Sequence, residues 1–265
     1  DVEVLELNPE NGAEEADQVV DAIRWEIKKD YVLKNDLTII DILAANKWER
    51  PIYFASTTGL SSYIGLEDYF RAEGMTYRLV PIKSGRSADG NPGYVNSNIL
   101  YDRMMNDFQW GGVDENHVYM DETNRRMTMS LRITFSRLAE QLIKEGKDEK
   151  AKEVLDKAFE VTPEHNVPYD VFVMYLAENY YAIGENERGN ELVSRLADIY
   201  SKEVDYYNRL KPKFAKSVTR DKQQALAILS RLISITNQMY PQEEFGPELR
   251  ERLSVYFAGL NQQNR

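Results

Sequence analysis

Cysteine is absent from the 265 residues, which excludes a disulfide frame and a thiolate metal site and leaves the redox compartment open. Histidine is nearly absent. His117 and His165 stand alone, each in a loop-like stretch with no nucleophile pattern nearby. The chain also lacks Gly-x-Ser-x-Gly, His-Glu-x-x-His and a glycine-rich phosphate cradle ahead of a helix. No catalytic set, metal site or cofactor is therefore expected. Long hydrophobic runs are missing too. The longest, Leu37 to Ala45 and Ala225 to Ile235, are interrupted by Asp41 and Arg231, and neither approaches the ~20 apolar residues of a membrane span. No signal peptide is evident, and the chain starts at Asp1 rather than Met. The expectation is a fragment or processed form, so missing targeting signals say little about the native protein. Basic residues are outnumbered, 33 against 44 acidic ones, for a net charge of −11, which speaks against nonspecific nucleic-acid binding.

What is present suits a globular chain of one large or two smaller domains, with 42% hydrophobic and 29% charged residues. Its most informative stretch is Arg132 to Pro163. Phe135, Leu138, Ala139 and Leu142 form an i, i+3, i+4, i+7 stripe, and Ala151, Val154, Leu155 and Ala158 form a second. Between them Gly146 can take the left-handed conformation that ends a helix, and Pro163 stops the second helix. Small residues at Ala139, Ala151 and Ala158 allow close antiparallel approach. In spacing and residue size this unit resembles a tetratricopeptide repeat, whose period is about 34 residues. Val173, Leu176, Ala177 and Tyr180, then Gly184, then Gly189, Val193 and Leu196, repeat the pattern after Pro168, at slightly more than one period. A last pair, Asp221 to Tyr240 and Pro247 to Leu260, reads as a capping repeat. Lys211 to Arg220 reads as a basic link, and the 17 tyrosines as rings packed with hydroxyls at the rim.

Ahead of the repeats, strand-like and helical stretches alternate. Val2 to Leu7 is β-prone, and Ala13 to Lys29 carries Ala16, Val20, Ile23 and Ile27 at helical spacing. Thr38 to Asp41 has capping-box form and opens a short helix to Ala45. Pro51 to Ala55 and Thr76 to Lys83 read as strands, Leu66 to Ala72 as a short helix ending at Gly74, and Ser84 to Gly93 as a mobile polar loop. Asn96 to Phe108 resumes a helix, followed by an acidic connector. The expected fold is mainly α: tetratricopeptide-like helical hairpins over residues 131–265, a small α/β subdomain over 1–95, and a connecting helix and loop over 96–130.

Two local groupings invite chemistry. Asp114, Glu115, His117, Asp121 and Glu122 are oxygen-rich enough for a hard cation, but their spacing fits no EF-hand and acidic loops are ordinarily solvated. The segment Trp48 to Phe54 has two readings. One is an aromatic and guanidinium surface for a sugar or peptide. The other, favoured here, is a helix-to-strand corner with Trp48 and Phe54 in the core and Arg50 paired to an acid, since arginine on aromatics is common in structural settings.

The segments NKWERPIYFA, GLEDYF with EGMTYRLVPIK, and VNSNILYDRMMNDFQWGG with VYMDETNRRM resemble the C-terminal soluble part of bacterial multi-pass membrane proteins of the protein O-mannosyltransferase-like, glycosyltransferase-C type. The resemblance covers Tyr31 to about Leu210. It implies a soluble part at the periplasmic face of the inner membrane, and a lipid-linked sugar donor for any transfer chemistry, whose acids would lie in membrane loops absent from this chain. No catalytic residue carries over. The expected function is thus a non-catalytic protein-interaction module. The repeat resemblance implies a groove for a peptide or partner helix lined by Ile133, Ser136, Glu140 and Ile143 and by Val171, Met174, Glu178 and Tyr181, with the membrane part of the same polypeptide as a possible occupant. The alternative is an accessory domain that recognises sugar or acceptor through Trp48, Arg50, Tyr53 and Tyr69.

Overall fold

The structure, a computed structural model, describes residues 2–3, 18–84 and 91–258. It is mainly helical, with a small three-stranded antiparallel sheet, and divides into two compact units, Asp1–Gln109 and Trp110–Arg265.

In the first unit β1 (Val2–Glu3) pairs antiparallel with β2 (Ala22–Ile23). The helix expected over Ala13 to Lys29 is not formed in its described part. Val19 bridges Ile82 and the Val20 N–H donates to the Pro81 carbonyl at 2.9 Å, so distant backbone partners override the local periodicity. Its apolar residues still reach the core, where Ile23 is buried and Val20 and Ile27 pack against it. Helix α1 (Lys34–Asn46) starts before the expected Thr38. Leu33 is its cap residue, and the carboxylate of Asp36, at the third helical position, accepts from the Leu33 N–H at 2.9 Å and from Lys29 Nζ at 2.7 Å. Lys29 above all, and then the Leu33 N–H, hold that carboxyl below the usual range.

After α1, Lys47 and Trp48 both take left-handed backbone and turn the chain into β3 (Tyr53–Ala55). Leu66 to Ala72 is not the expected helix. A 3-10 turn over Glu67–Tyr69 leads into β4 (Phe70–Glu73), and Gly74, at φ +70, opens the two-residue turn to β5 (Thr76–Leu79). The sheet order is β3-β5-β4. Register places Phe54, Tyr77 and Ala72 side by side, with Phe70 opposite Leu79. This face packs an aromatic cluster, with Phe70 stacked on Tyr77 at 5.7 Å and edge-on to Tyr63 at 5.2 Å. The other face carries a buried ion cluster in which Glu73 pairs with Arg71 at 2.6 Å and Arg103 at 3.0 Å. Helix α2 (Ser97–Asp102), capped by Asn96, continues into a π-turn over Arg103–Asp107. The loop expected over Ser84 to Gly93 lies mostly outside the described residues.

In the second unit α3 (Glu122–Lys144) and α4 (Asp148–Val161) form a hairpin closed by Gly146 at φ +71. All eight residues of the two expected stripes are at most 1% exposed. The second hairpin is α5 (Val171–Ala182) and α6 (Asn186–Arg209), closed by Gly184 at φ +82. Pro168 does not open α5, which starts three residues later at Val171, because Asp170 caps it by accepting from the Phe172 N–H. Helix α3 packs against α4 and α5, and α5 against α6. The expected basic link is helical, as α7 (Pro212–Ala215) with Pro212 in its first turn, then a 3-10 turn into α8 (Thr219–Ser234). Helix α8 packs on α6, and α9 (Phe245–Leu253) on α6 and α8.

The joint between the hairpins is organised by Arg132, fully buried on α3. Its Nη2 donates to the carbonyls of Thr162 (3.1 Å) and Val167 (2.6 Å), its Nη1 to the Pro168 carbonyl (2.8 Å) and Asp170 (3.3 Å), and its Nε to the Thr162 hydroxyl (3.2 Å). Burial pushes the guanidinium below its ordinary value, against the pull of Asp170. The same loop reaches back through buried Asn166. Its amide donates to Val113 and Asn116 and accepts from the Val118 N–H.

Candidate functional site

The expected groove residues divide by burial. Ile133, Glu140 and Ile143 on α3, and Val171 and Glu178 on α5, are half-buried on neighbouring helices. Ser136, Met174 and Tyr181 are 8%, 5% and 4% exposed, so they belong to the interior rather than to a groove lining. The backbone carbonyl and hydroxyl of Ser136 both accept from Asn179 Nδ2. The Tyr181 ring stacks on Tyr240 at 5.8 Å, and its hydroxyl donates to Asn190 at 2.8 Å. An added Cβ on Gly189 would come within 2.5 Å of that ring, so glycine there lets tyrosine seat. Sequence reasoning missed Tyr175, which is 43% exposed. It lies four residues after Val171 and three before Glu178 and so shares their helix face, a signal available in the sequence.

The Tyr181 difference has a direct consequence for stability. Tyr181→Ala is expected to cost about 3–5 kcal/mol, the range for emptying a buried aromatic site. Tyr175→Ala should stay within about 0.5 kcal/mol. Paired thermal melts check this, and equal shifts would contradict the assignment.

Helix α8 reaches the edge of this face where Arg231 pairs with Glu178 at 3.1 Å. Burial raises the Glu178 carboxyl above its ordinary 4.5 in spite of Arg231. A carboxyl that binds its proton more tightly when folded makes stability fall as pH rises from 4.5 through its folded value. Burial raises Asp170 and Glu203 as well. Glu178→Gln should therefore flatten the fall of melting temperature as pH rises above 4.5, and an unchanged slope would remove the burial argument.

In the first unit the expected ligand surface does not converge. Tyr69 is 3% exposed, and its hydroxyl donates to the Arg24 carbonyl and accepts from the Arg24 N–H. Trp48 and Phe54 pack against the core, whereas Arg50 is exposed and makes no ion pair with a described residue, so the acid expected beside it is not found. Tyr53 is 42% exposed, with the Arg78 guanidinium 5.9 Å above its ring. Tyr69 instead borders a cleft of about 520 Å³ between the extended segment Arg24 to Lys29 and the turns from Leu60 to Tyr69, with Lys83 at its rim. Gly65, at φ +89, lets the two walls touch, because a Cβ there would lie 2.5 Å from the Glu26 carbonyl oxygen. Beside it Ile64 holds φ +51, an outlier for a β-branched residue.

The acidic connector gathers no cation site. Among the described residues no three His, Asp or Glu side chains come close enough to hold a metal ion. His117 instead stands beside His165, ring centroids 6.2 Å apart, brought there by the Asn166 hydrogen bonds. No described helix is long and apolar enough to cross a membrane.

Residues 4–99 match the family model described as TMEM260-associated domain 2. The matched stretch lies within the first unit and includes the sheet and the cleft. Comparison with curated proteins and with solved structures returns no match for the chain.

Proposed function

We propose that this chain is a non-catalytic recognition module and the soluble end of a membrane protein. The observation that carries the reading is the face shared by α3 and α5. Two packed helices present Ile133, Glu140, Ile143, Val171 and Tyr175 together, an apolar strip with an exposed aromatic anchor and an acidic group beside it. Such a strip suits an amphipathic helix or extended peptide, including a segment of the membrane part of the same polypeptide. The buried stripes and glycine-closed turns support reading the hairpins as tetratricopeptide-like. The TMEM260-associated match supports a membrane-protein context, and the resemblance to O-mannosyltransferase-like proteins supports a periplasmic location.

Glu140→Ala combined with Tyr175→Ala should leave the fold intact and strip partners from the chain in a pull-down. Unchanged partners would sink the α3–α5 face. Context is tested with an antibody raised against the chain. A membrane-bound species far larger than 30.7 kDa fits the proposal, and a soluble band near that mass contradicts it.

A second reading, an accessory ligand-recognition domain, is favoured by the cleft of the first unit. That cleft falls inside the family-matched residues and has a volume typical of small-molecule sites.

A further inference from the structure

We infer that the turn joining α6 to α8 lies against an anionic bilayer surface, with its lysines and arginines on lipid phosphates and Phe214 at the acyl boundary. This rests on the membrane-protein reading above and names the surface that meets the lipid. Residues 206–222 hold six basic side chains, Arg209, Lys211, Lys213, Lys216, Arg220 and Lys222, against the single acid Asp221. The chain as a whole carries −11, so the turn is a local reversal of sign. None of the six makes an ion pair with a described residue. By contrast Arg188, Arg195, Arg231 and Arg252, on α6, α8 and α9, each reach a carboxylate. The next acids back along α6, Glu203 and Asp205, are half-buried, and Asp205 accepts from the Tyr256 hydroxyl at 3.2 Å.

Pro212 in the first turn of α7 and the 3-10 turn over Lys216–Val218 keep this segment short and folded. Five of the six cations are exposed, and Lys222 is half-buried. Two exposed aromatics stand among them, Phe214 at 50% and Tyr206 at 60%. Lys213 Nζ lies 4.6 Å from the Phe214 ring centroid, so a cation and an apolar ring share one spot. A headgroup boundary accepts both, because phosphates meet the ammonium groups and the acyl layer takes the ring. Tyr206 keeps its hydroxyl at headgroup level. Single-stranded nucleic acid fits less well. It stacks its bases on rings set along one basic groove, whereas these two rings stand on separate helices of an otherwise acidic chain.

The test is co-sedimentation of the full chain with vesicles of phosphatidylcholine, alone or mixed equally with phosphatidylglycerol. The expected result is saturable binding to the mixed vesicles, at least tenfold tighter than to phosphatidylcholine alone and weakening as salt rises. Lys213→Glu combined with Lys216→Glu should reduce it at least tenfold. Both positions are exposed, so the melt should not move. The chain has no cysteine, so Phe214→Cys accepts a single environment-sensitive fluorophore. Its emission should shift to the blue on mixed vesicles, and that of the same label at Glu160→Cys on α4 should not. Equal binding to both vesicles, or a shift at both positions alike, would overturn the surface. Binding of a single-stranded oligonucleotide that the double variant abolishes, without vesicle binding, would assign the turn to nucleic acid and overturn the bilayer. A large membrane-bound native species whose chain ignores both vesicles would overturn this surface and leave the membrane-protein reading standing.

Discussion

Replacing Arg132 with methionine is expected to destabilise the second unit by about 3–5 kcal/mol, the cost of removing one partner from a buried, hydrogen-bonded charge cluster. Methionine fills much of the volume but offers no donor. The carbonyls of Thr162, Val167 and Pro168 and the carboxylate of Asp170 would lose theirs together. At this unit's size the loss corresponds to a melting shift of roughly 10 °C. Arg132→Lys should recover only part of it, because a single ammonium cannot reproduce the planar fork. Arg126→Met removes an exposed pair with Glu122 on the same helix and should leave the melt unmoved. A shift for Arg132→Met no larger than for Arg126→Met would contradict the role assigned to the guanidinium.

The second large effect is expected at Gly65. Gly65→Ala should cost about 2 kcal/mol or more. The left-handed backbone alone accounts for about 1–2 kcal/mol, and the new Cβ would meet the Glu26 carbonyl oxygen at 2.5 Å. Both walls of the cleft are backbone at this point, so neither can rotate away. The variant should lose stability and cleft geometry together. Gly59→Ala, with nothing within 4 Å of the added carbon and an ordinary φ of −66°, should be neutral or slightly stabilising through the unfolded chain. Melting curves of the two variants decide it, and equal behaviour would contradict the close approach at Gly65.

What the sequence reveals and conceals follows from the range of each interaction. The α3–α4 hairpin is legible because its stripes and the Gly146 turn are local, and Phe135, Leu138, Ala139 and Leu142, with Ala151, Val154, Leu155 and Ala158, are buried as their spacing predicts. The segment before α1 is not legible. Val20, Ile23 and Ile27 sit at helical spacing, but their backbone partners Pro81 and β1 are supplied by other parts of the chain. Gly74 serves equally as a helix end or a hairpin turn, and only the pairing of β4 with β5 decides between them. Arg132 reads locally as the first residue of a motif, and nothing near it reveals five acceptors 30 to 38 residues away. The tyrosines show the same limit at the candidate sites. Tyr69 and Tyr181 are interior while Tyr53 and Tyr175 are exposed, because burial depends on neighbours that packing brings in.

The central claim is that the α3–α5 face holds a partner. It is tested most directly by placing a photo-crosslinking amino acid at Tyr175, and in a separate chain at exposed Glu160 on α4, in the native full-length protein. The account predicts a discrete crosslinked product from position 175 that is absent from position 160. Crosslinks from both positions alike, or from 160 alone, would contradict it.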